Sequence, residues 1–251
     1  MSIPAGQGFK DHFSGIAEGY ARYRPHYPAS LFSHLADLCR THDLVVDCGT
    51  GSGQAAVALA SHFQQVVGID PSAAQLATAT AHERVRYMVS PAERMPVSDG
   101  SVDLVTAAAA AHWFEHDAFH SEVRRVLKPG GLIAVWTYWN AHVSPTVDAV
   151  IERFQVTVVG PYWPPERRYV NSAYQDLPFP FASVPAPAMD VRMNWAVDHF
   201  IGYLGTWSAV ERYKKEHGSD PVDHIRQDLR SAWGEGVLEV RWPLAMRIGR
   251  V

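Results

Sequence analysis

The run Leu44 to Gly53 constrains this chain more than any other stretch: it reads Leu-Val-Val-Asp-Cys-Gly-Thr-Gly-Ser-Gly. Leu44, Val45 and Val46 are apolar and mostly β-branched, as a strand buried on both faces requires. Gly49, Gly51 and Gly53 follow at alternate positions and give way to Gln54–Ala60, an Ala-rich helix former. Strand, glycine turn and helix together open a nucleotide-binding βαβ unit. Glycine tolerates positive φ and lets a ligand approach the backbone closely. The helix that follows offers N–H groups at its first turn.

The spacing of these residues narrows the ligand. The dinucleotide fingerprint G-x-G-x-x-G, started at Gly49, needs glycine where Gln54 stands, and an acid, Asp47, precedes the glycines. A carboxylate is a poor neighbour for a pyrophosphate. It suits a ligand with an ammonium group and no phosphate, such as S-adenosylmethionine (SAM). The alternative is a merely structural turn, but strand, acid and helix all agree on a ligand loop, with Thr50 inside it. A second buried strand, Gln65–Ile69, ends in Asp70, about 20 residues after Gly49. A carboxylate there can accept both hydroxyls of a ribose. Asp70 also suits the N-cap of a helix over Ser72–His82, with Pro71 as a first-turn residue. The two roles are compatible.

At 251 residues the chain has room for one large α/β domain, or one domain with an insertion. A formal net charge of -4 gives no basic footprint, so nucleic acid is disfavoured as a partner. No apolar run reaches membrane-span length, so no membrane association is expected. Met1–Lys10 lacks a charged segment followed by an apolar core, so no signal peptide is expected. Cys39 and Cys48 are the only cysteines. Cys48 sits inside the glycine run, a poor place for a disulfide, so reduced thiols and a cytoplasmic setting are expected. The thirteen histidines are expected to be surface or packing residues, with no metal site. Oligomeric state is left open.

Taken in order, the chain begins with a lead-in, about 6–28, in which Phe9, Phe13, Ile16, Ala17 and Tyr20 recur at helical spacing. It reads either as a lid over the ligand, with Tyr20 and Arg24 as cofactor contacts, or as a helix packed on the sheet edge. A core of about 29–159 follows, starting with a helix over Ala29–Arg40. Later come strands at Arg86–Val89, Val102–Ala107 and Leu132–Trp136. Between them lie the loop Ser90–Pro96 and a helix over Glu115–Leu127 that stops at Lys-Pro-Gly-Gly. The small residues Ala107–Ala111 leave room for a ligand at the carboxyl edge of the fourth strand, the edge where open α/β sheets bind ligands. His112 and Trp113 come just past it. Trp136, Tyr138 and Trp139 run toward the same edge. After a helix over Thr146–Val158, a segment of about 160–187, rich in Pro and aromatic residues, reads as an irregular insertion or cap. The remainder, about 188–251, carries a strand at Met189–Trp195, three helical stretches and a final strand at Val237–Ile248.

These residues resemble the class I SAM-dependent methyltransferases across most of Phe9–Trp139, and within them the trans-aconitate methyltransferase-like group of small-molecule enzymes. The resemblance rests on Y-A-R-Y-R-P-H-Y-P before the first strand, V-V-D-C-G-T-G-S-G, G-I-D-P-S, P-A-E-R-M-P, A-H-W-F, V-L-K-P-G-G, and Y-L-G-T-W-S-A-V-E-R-Y near the end. It implies a single Rossmann-like domain with a seven-stranded, mostly parallel sheet, the last strand antiparallel, and helices on both faces. It places Asp47 and the glycines at the methionine end of SAM and Asp70 at the ribose. Many relatives carry G-D-A-E after the third strand, with the Asp near the adenine amino group. Here the loop reads S-P-A-E, so Pro91 stands where that acid would be. Ala92 keeps a backbone N–H for the adenine. Glu93 is either a substitute acceptor or a solvated charge.

Methyl transfer from a sulfonium is an in-line displacement, so the protein's main task is to align the acceptor at near contact, worth about 7–11 kcal/mol. The products are S-adenosylhomocysteine and the methylated small molecule. A carboxylate acceptor needs no base; an alcohol or carbon acid does, and His112 is the one base placed by sequence. Its other reading is a hydrogen-bonding wall residue. Trp113, Trp136 and Trp139 read as pocket walls or as core. For a carboxylate acceptor, Arg167, Arg168 and Arg212 are the candidate bidentate partners; otherwise they are solvated charges. Three rival readings stand beside this one: a SAM-binding regulator, a methyltransferase acting on a macromolecule, and a dinucleotide oxidoreductase. Asp47 and Gln54 disfavour the last.

Overall fold

The computed structural model describes residues 23–251. The lead-in helix through Tyr20, and Tyr20 as a ligand contact, lie outside the described residues. Five parallel strands form the body of the sheet: β1 (Leu44–Cys48), β2 (Gln65–Asp70), β3 (Val85–Val89), β4 (Val102–Ala108) and β5 (Leu127–Tyr138), in the spatial order β3-β2-β1-β4-β5. Residues one apart on β1 face opposite ways, as the two-residue strand period demands. Val45 packs with Leu104, Leu31, Leu35 and Leu59 on the face covered by α1 (Ala29–Leu38) and α2 (Gln54–Leu59). Val46 packs with Ile69, Val105, Phe119 and Val123 on the other face. Both faces are therefore buried, which is why β1 and β4 read as continuous apolar runs. The connection α3 (Ala73–Leu76) is shorter than the expected Ser72–His82 helix. The amide of Thr80 donates to the Ser52 carbonyl at 3.0 Å instead of continuing the helix, which draws this segment onto the glycine loop.

Lys128-Pro129-Gly130-Gly131 ends α4 (His116–Val126), as expected, but the strand resumes at once: β5 already pairs with β4 at Leu127 and shifts register once before Leu132. The far edge of the sheet also differs from expectation. Among the described residues eight strands are present, not seven. β8 (Val237–Arg250) runs antiparallel to β5, and its outer side is shared by β6 (Ala182–Val184), paired with its last residues, and β7 (Met189–Ala196), paired with its first. Between β6 and β7 lie Pro185 and Pro187, which have no N–H to donate to a ladder and so split one sheet position into two strands.

Helix α5 (Pro145–Arg153) is followed by a π-turn at Phe154–Val158. Helices α7 (Val197–Gly205), α8 (Ser208–His217) and α9 (Arg226–Trp233) build a second core with Phe154, Trp195 and Trp242. The insertion carries a 3₁₀ turn (Gly160–Tyr162), α6 (Arg167–Asn171) and β6, joined by irregular chain. Among the described residues no helix is long and apolar enough to cross a membrane.

Candidate active site

The loop between β1 and α2 is built for close backbone approach. Gly49, Gly51 and Gly53 have φ of 67°, 54° and 82°. A Cβ at Gly49 would meet the Ala110 side chain at 2.5 Å, and one at Gly53 the Tyr87 hydroxyl at 2.1 Å. At Gly51, among the described residues, only the Gln75 side chain comes within 4 Å, at 3.7 Å. Asp70, at the end of β2, turns back over this crest. Its Oδ2 accepts from the Gly51 amide at 3.0 Å, and its Oδ1 from the Ser72 amide at 2.9 Å. Asp70 also starts the turn into α3, though the capping hydroxyl there belongs to Ser72, not Asp70.

Asp47 sits beneath the loop and is fully enclosed. Its two oxygens accept from the hydroxyls of Thr50 and Thr106, each at 2.7 Å, tying the loop to β4. Burial pushes its carboxyl up to about 6, against the pull of the two hydroxyl bonds. No carboxylate surface is left for direct contact with an ammonium, so its part is to hold the loop. Ala92 is buried in the loop after β3. Glu93 accepts from the Glu115 amide at 2.8 Å, which makes it a tie between that loop and the start of α4.

On the same edge, beyond the ends of β4 and β5, lies a cavity of about 70 Å³. The chain leaves β4 through Ala109, at φ 50°, into a 3₁₀ turn, Ala111–Trp113. That turn puts His112 and Trp113 on the cavity wall, and Tyr138 and Trp139 at the end of β5 face it. The insertion adds Trp163 and Arg167, and the C-terminal helices add Tyr203 and Trp207. None of the described lining residues is acidic. The Arg167 guanidinium lies over the Trp163 ring at 4.1 Å and donates to Asn171 Oδ1 at 3.1 Å. No carboxylate pairs with it among the described residues. Burial lowers its pKa to about 10, with Tyr203 opposing and Arg24 adding to the effect, so it stays cationic at neutral pH. Arg24 donates to the Tyr138 hydroxyl at 3.2 Å and to the Thr206 carbonyl at 3.0 Å. It therefore stands on the cavity wall and not at the glycine loop. Its neighbour Pro25 reaches that loop, accepting from Gln54 at 3.1 Å.

Residues 46–135 match the family of methyltransferase domains. A Dictyostelium discoideum protein provisionally named a methyltransferase is 32% identical over 99% of this chain and 98% of its own length. The chain belongs to the class I SAM-dependent methyltransferases. A solved structure from Anaeromyxobacter dehalogenans, provisionally described as a type II methyltransferase, is 45% identical, covers 91% of this chain and 98% of its own, and superposes with a TM-score of 0.84. The YcgJ protein of Bacillus subtilis, at 21% identity, 88% of this chain, 97% of its own and a TM-score of 0.52, shares the fold.

In this methyltransferase, His112, Trp113, Trp139 and Arg167 come together at the cavity as expected. Trp136 does not. It points into the core under α1, edge-on to Tyr27 and Phe32, because its place in β5 faces the helix layer and not the strand's end. Arg168 is exposed and folds over its own neighbour, Tyr169, donating to that hydroxyl at 2.9 Å. Arg212, on α8, is not among the lining residues. One spacing escaped the sequence reading: His112, His116 and His120 recur every four residues. They hold no metal-binding cluster among the described residues. Each faces an aromatic ring of the insertion: His112 bonds Tyr174 at 2.8 Å, His116 meets Tyr169 edge-on at 5.3 Å, and His120 meets Phe181 at 5.4 Å. The column bolts the insertion to the 3₁₀ turn after β4 and to α4. Burial lowers His112 to about 3, with Arg167 and His116 adding to it, and His120 to about 4, with His116 and Arg124 adding.

Proposed function

We propose that this enzyme moves the SAM methyl group to a small molecule bearing a carboxylate, held in the cavity beside Arg167. The glycine crest at Gly51, the backbone N–H groups around it and Asp70 fit a nucleoside with a diol and no phosphate. In this reading Asp70 accepts the ribose hydroxyls. Gly49, Thr50, Gly51 and Gly53 frame the amino-acid end, with Asp47 holding the loop from below. Pro71, Ala92 and Glu93 border the adenine. When bound, SAM supplies an electrophilic methyl whose sulfur leaves as a neutral thioether.

The observation that carries the acceptor assignment is Arg167: a cation stacked on Trp163 at the cavity wall, with no carboxylate among its described partners. A planar guanidinium in that position matches a carboxylate. His112 supports the same class. A group that protonates only near pH 3 is a weak base at neutral pH, and a carboxylate oxygen needs no proton removed. The resemblance to the trans-aconitate methyltransferase-like group points the same way.

Labelled SAM offered with matched panels of small carboxylic acids, alcohols, amines, bulk RNA and protein tests the reading. Base-labile methyl esters of an acid are the expected product. Label on amines or macromolecules, with none on any acid, would overturn it.

A further inference from the structure

Tyr174 belongs to no sequence motif, yet the backbone is bent to place it. It is fully buried at φ 59° and follows Ala173 at φ 51°, two successive non-glycine residues in the left-handed region. Such positions persist only where the surroundings impose them, and they gather at functional sites. Here the surroundings are explicit. The Tyr174 amide donates to the Tyr169 carbonyl at 2.8 Å. From β8, Arg247 donates to the carbonyls of Tyr174 and Leu177 at 3.2 and 2.5 Å, while its guanidinium lies over the Phe179 ring at 4.7 Å. The clamp delivers the Tyr174 hydroxyl to Nδ1 of His112 at 2.8 Å. With Nδ1 so engaged, Nε2 is the nitrogen that His112 has left to offer the cavity it lines.

A neutral imidazole carries its proton on one nitrogen, and the bond made by the other decides which. Between phenol and imidazole the polarity is set by chemistry. The phenol is the stronger donor, with a pKa of about 10, and the imidazole lone pair is the stronger acceptor, protonating near about 6.5. We propose that Tyr174 is a positioning residue: it donates to Nδ1 of His112, fixes the Nε2–H tautomer, and so makes His112 a hydrogen-bond donor toward the acceptor's oxygen. The identity of that oxygen rests on the carboxylate reading above; the tautomer does not. The arrangement complements Arg167. Cation and N–H both suit an anion, whereas a lone pair on Nε2 would repel it. It also removes His112 from the role of base, because in this tautomer the one nitrogen with a lone pair is bonded to Tyr174.

The test is a long-range proton–nitrogen spectrum of the full chain labelled with ¹⁵N-histidine, with His112 assigned by its loss in His112→Gln. Expected is a protonated-type Nε2 and an unprotonated-type Nδ1, unchanged between about pH 8 and about pH 5.5. In Tyr174→Phe both nitrogens should move toward averaged shifts. With an acid that is turned over, the variant's acceptor KM should rise about tenfold, with kcat and SAM affinity changing less than about twofold. A proton on Nδ1 in the wild type, or His112 shifts indifferent to Tyr174→Phe, overturns the proposal. Should Tyr174→Phe fail to fold, the wild-type spectrum decides alone. Because the spectrum needs no acceptor, failure of the carboxylate reading leaves this result standing, and the reverse.

Discussion

The glycine loop after β1 and the cavity beyond β4 and β5 share one edge of one sheet, but they are made from different material. The loop is backbone: three positive-φ glycines, the amides of Gly51 and Ser72, and one carboxylate, all within Asp47–Ser72. The cavity is side chain: Arg24, His112, Tyr138, Arg167 and Tyr203 converge on it from segments spread over most of the described chain. A backbone site tolerates few substitutions, whereas a side-chain site can be rewritten one residue at a time.

Substitutions can break this contrast. The largest effect is expected at Asp70. Asp70→Ala removes the proposed diol acceptor and also releases the Gly51 and Ser72 amides. SAM affinity should fall by about 2 kcal/mol or more, roughly 30-fold, measured by calorimetric titration. Equal affinities would remove the ribose assignment.

Next in size is Asp47→Asn, which sharpens what the loop rests on. The carboxyl of Asp47 is raised in the folded state from 3.8 to about 6. A raised pKa contributes stability that is complete below the unfolded value and lost as pH rises through the folded one. The buried charge therefore costs stability above about pH 6. Asp47→Asn should melt higher than wild type at about pH 8, by on the order of 1–3 kcal/mol, and match it below about pH 4. A variant no more stable at pH 8 than wild type would show that the carboxylate's bonds outweigh its burial.

The histidine column gives the opposite slope. His112 and His120 are depressed from 6.5 to about 3 and about 4. Their contribution is whole above about pH 6.5 and is lost as pH falls toward those values. Between pH 6.5 and 4 two histidines act against one Asp47, so the wild-type melting temperature should drop with acid. His120→Phe, which keeps a ring against Phe181, should make that drop shallower by one titrating group. An unchanged slope would contradict the burial of His120. The smallest effect is expected at Arg212→Ala. It stands away from the cavity and should change turnover less than about twofold.

The same contrast explains what could be read from the sequence. Local backbone demands leave local marks: Asp47, the glycines and Asp70 are visible as residue types at fixed spacing. The end of β4 was visible too, because Ala107–Ala111 and then His112 are contiguous. Of its two readings, wall or core, Trp136 takes the core one, because strand alternation, not nearness to the strand's end, decides which layer a side chain enters. Tyr174, Arg247 and the pairing of the insertion with α4 were not visible, since no spacing rule links residues so far apart in sequence as His116 and Tyr169, or His112 and Tyr174. The split of the sheet edge into β6 and β7 was written in Pro185 and Pro187, but only the length of β8 shows that both halves share a partner.

The central claim is that donor and acceptor are held by separate machinery, backbone loop and Arg167. Two-substrate initial rates with a turned-over acid, for wild type and Arg167→Ala, test it most directly. The expected result is an acceptor KM raised by about 30-fold or more, as for a lost charged hydrogen-bond pair, with the KM for SAM unchanged. A raised KM for SAM with the acceptor KM intact would contradict it.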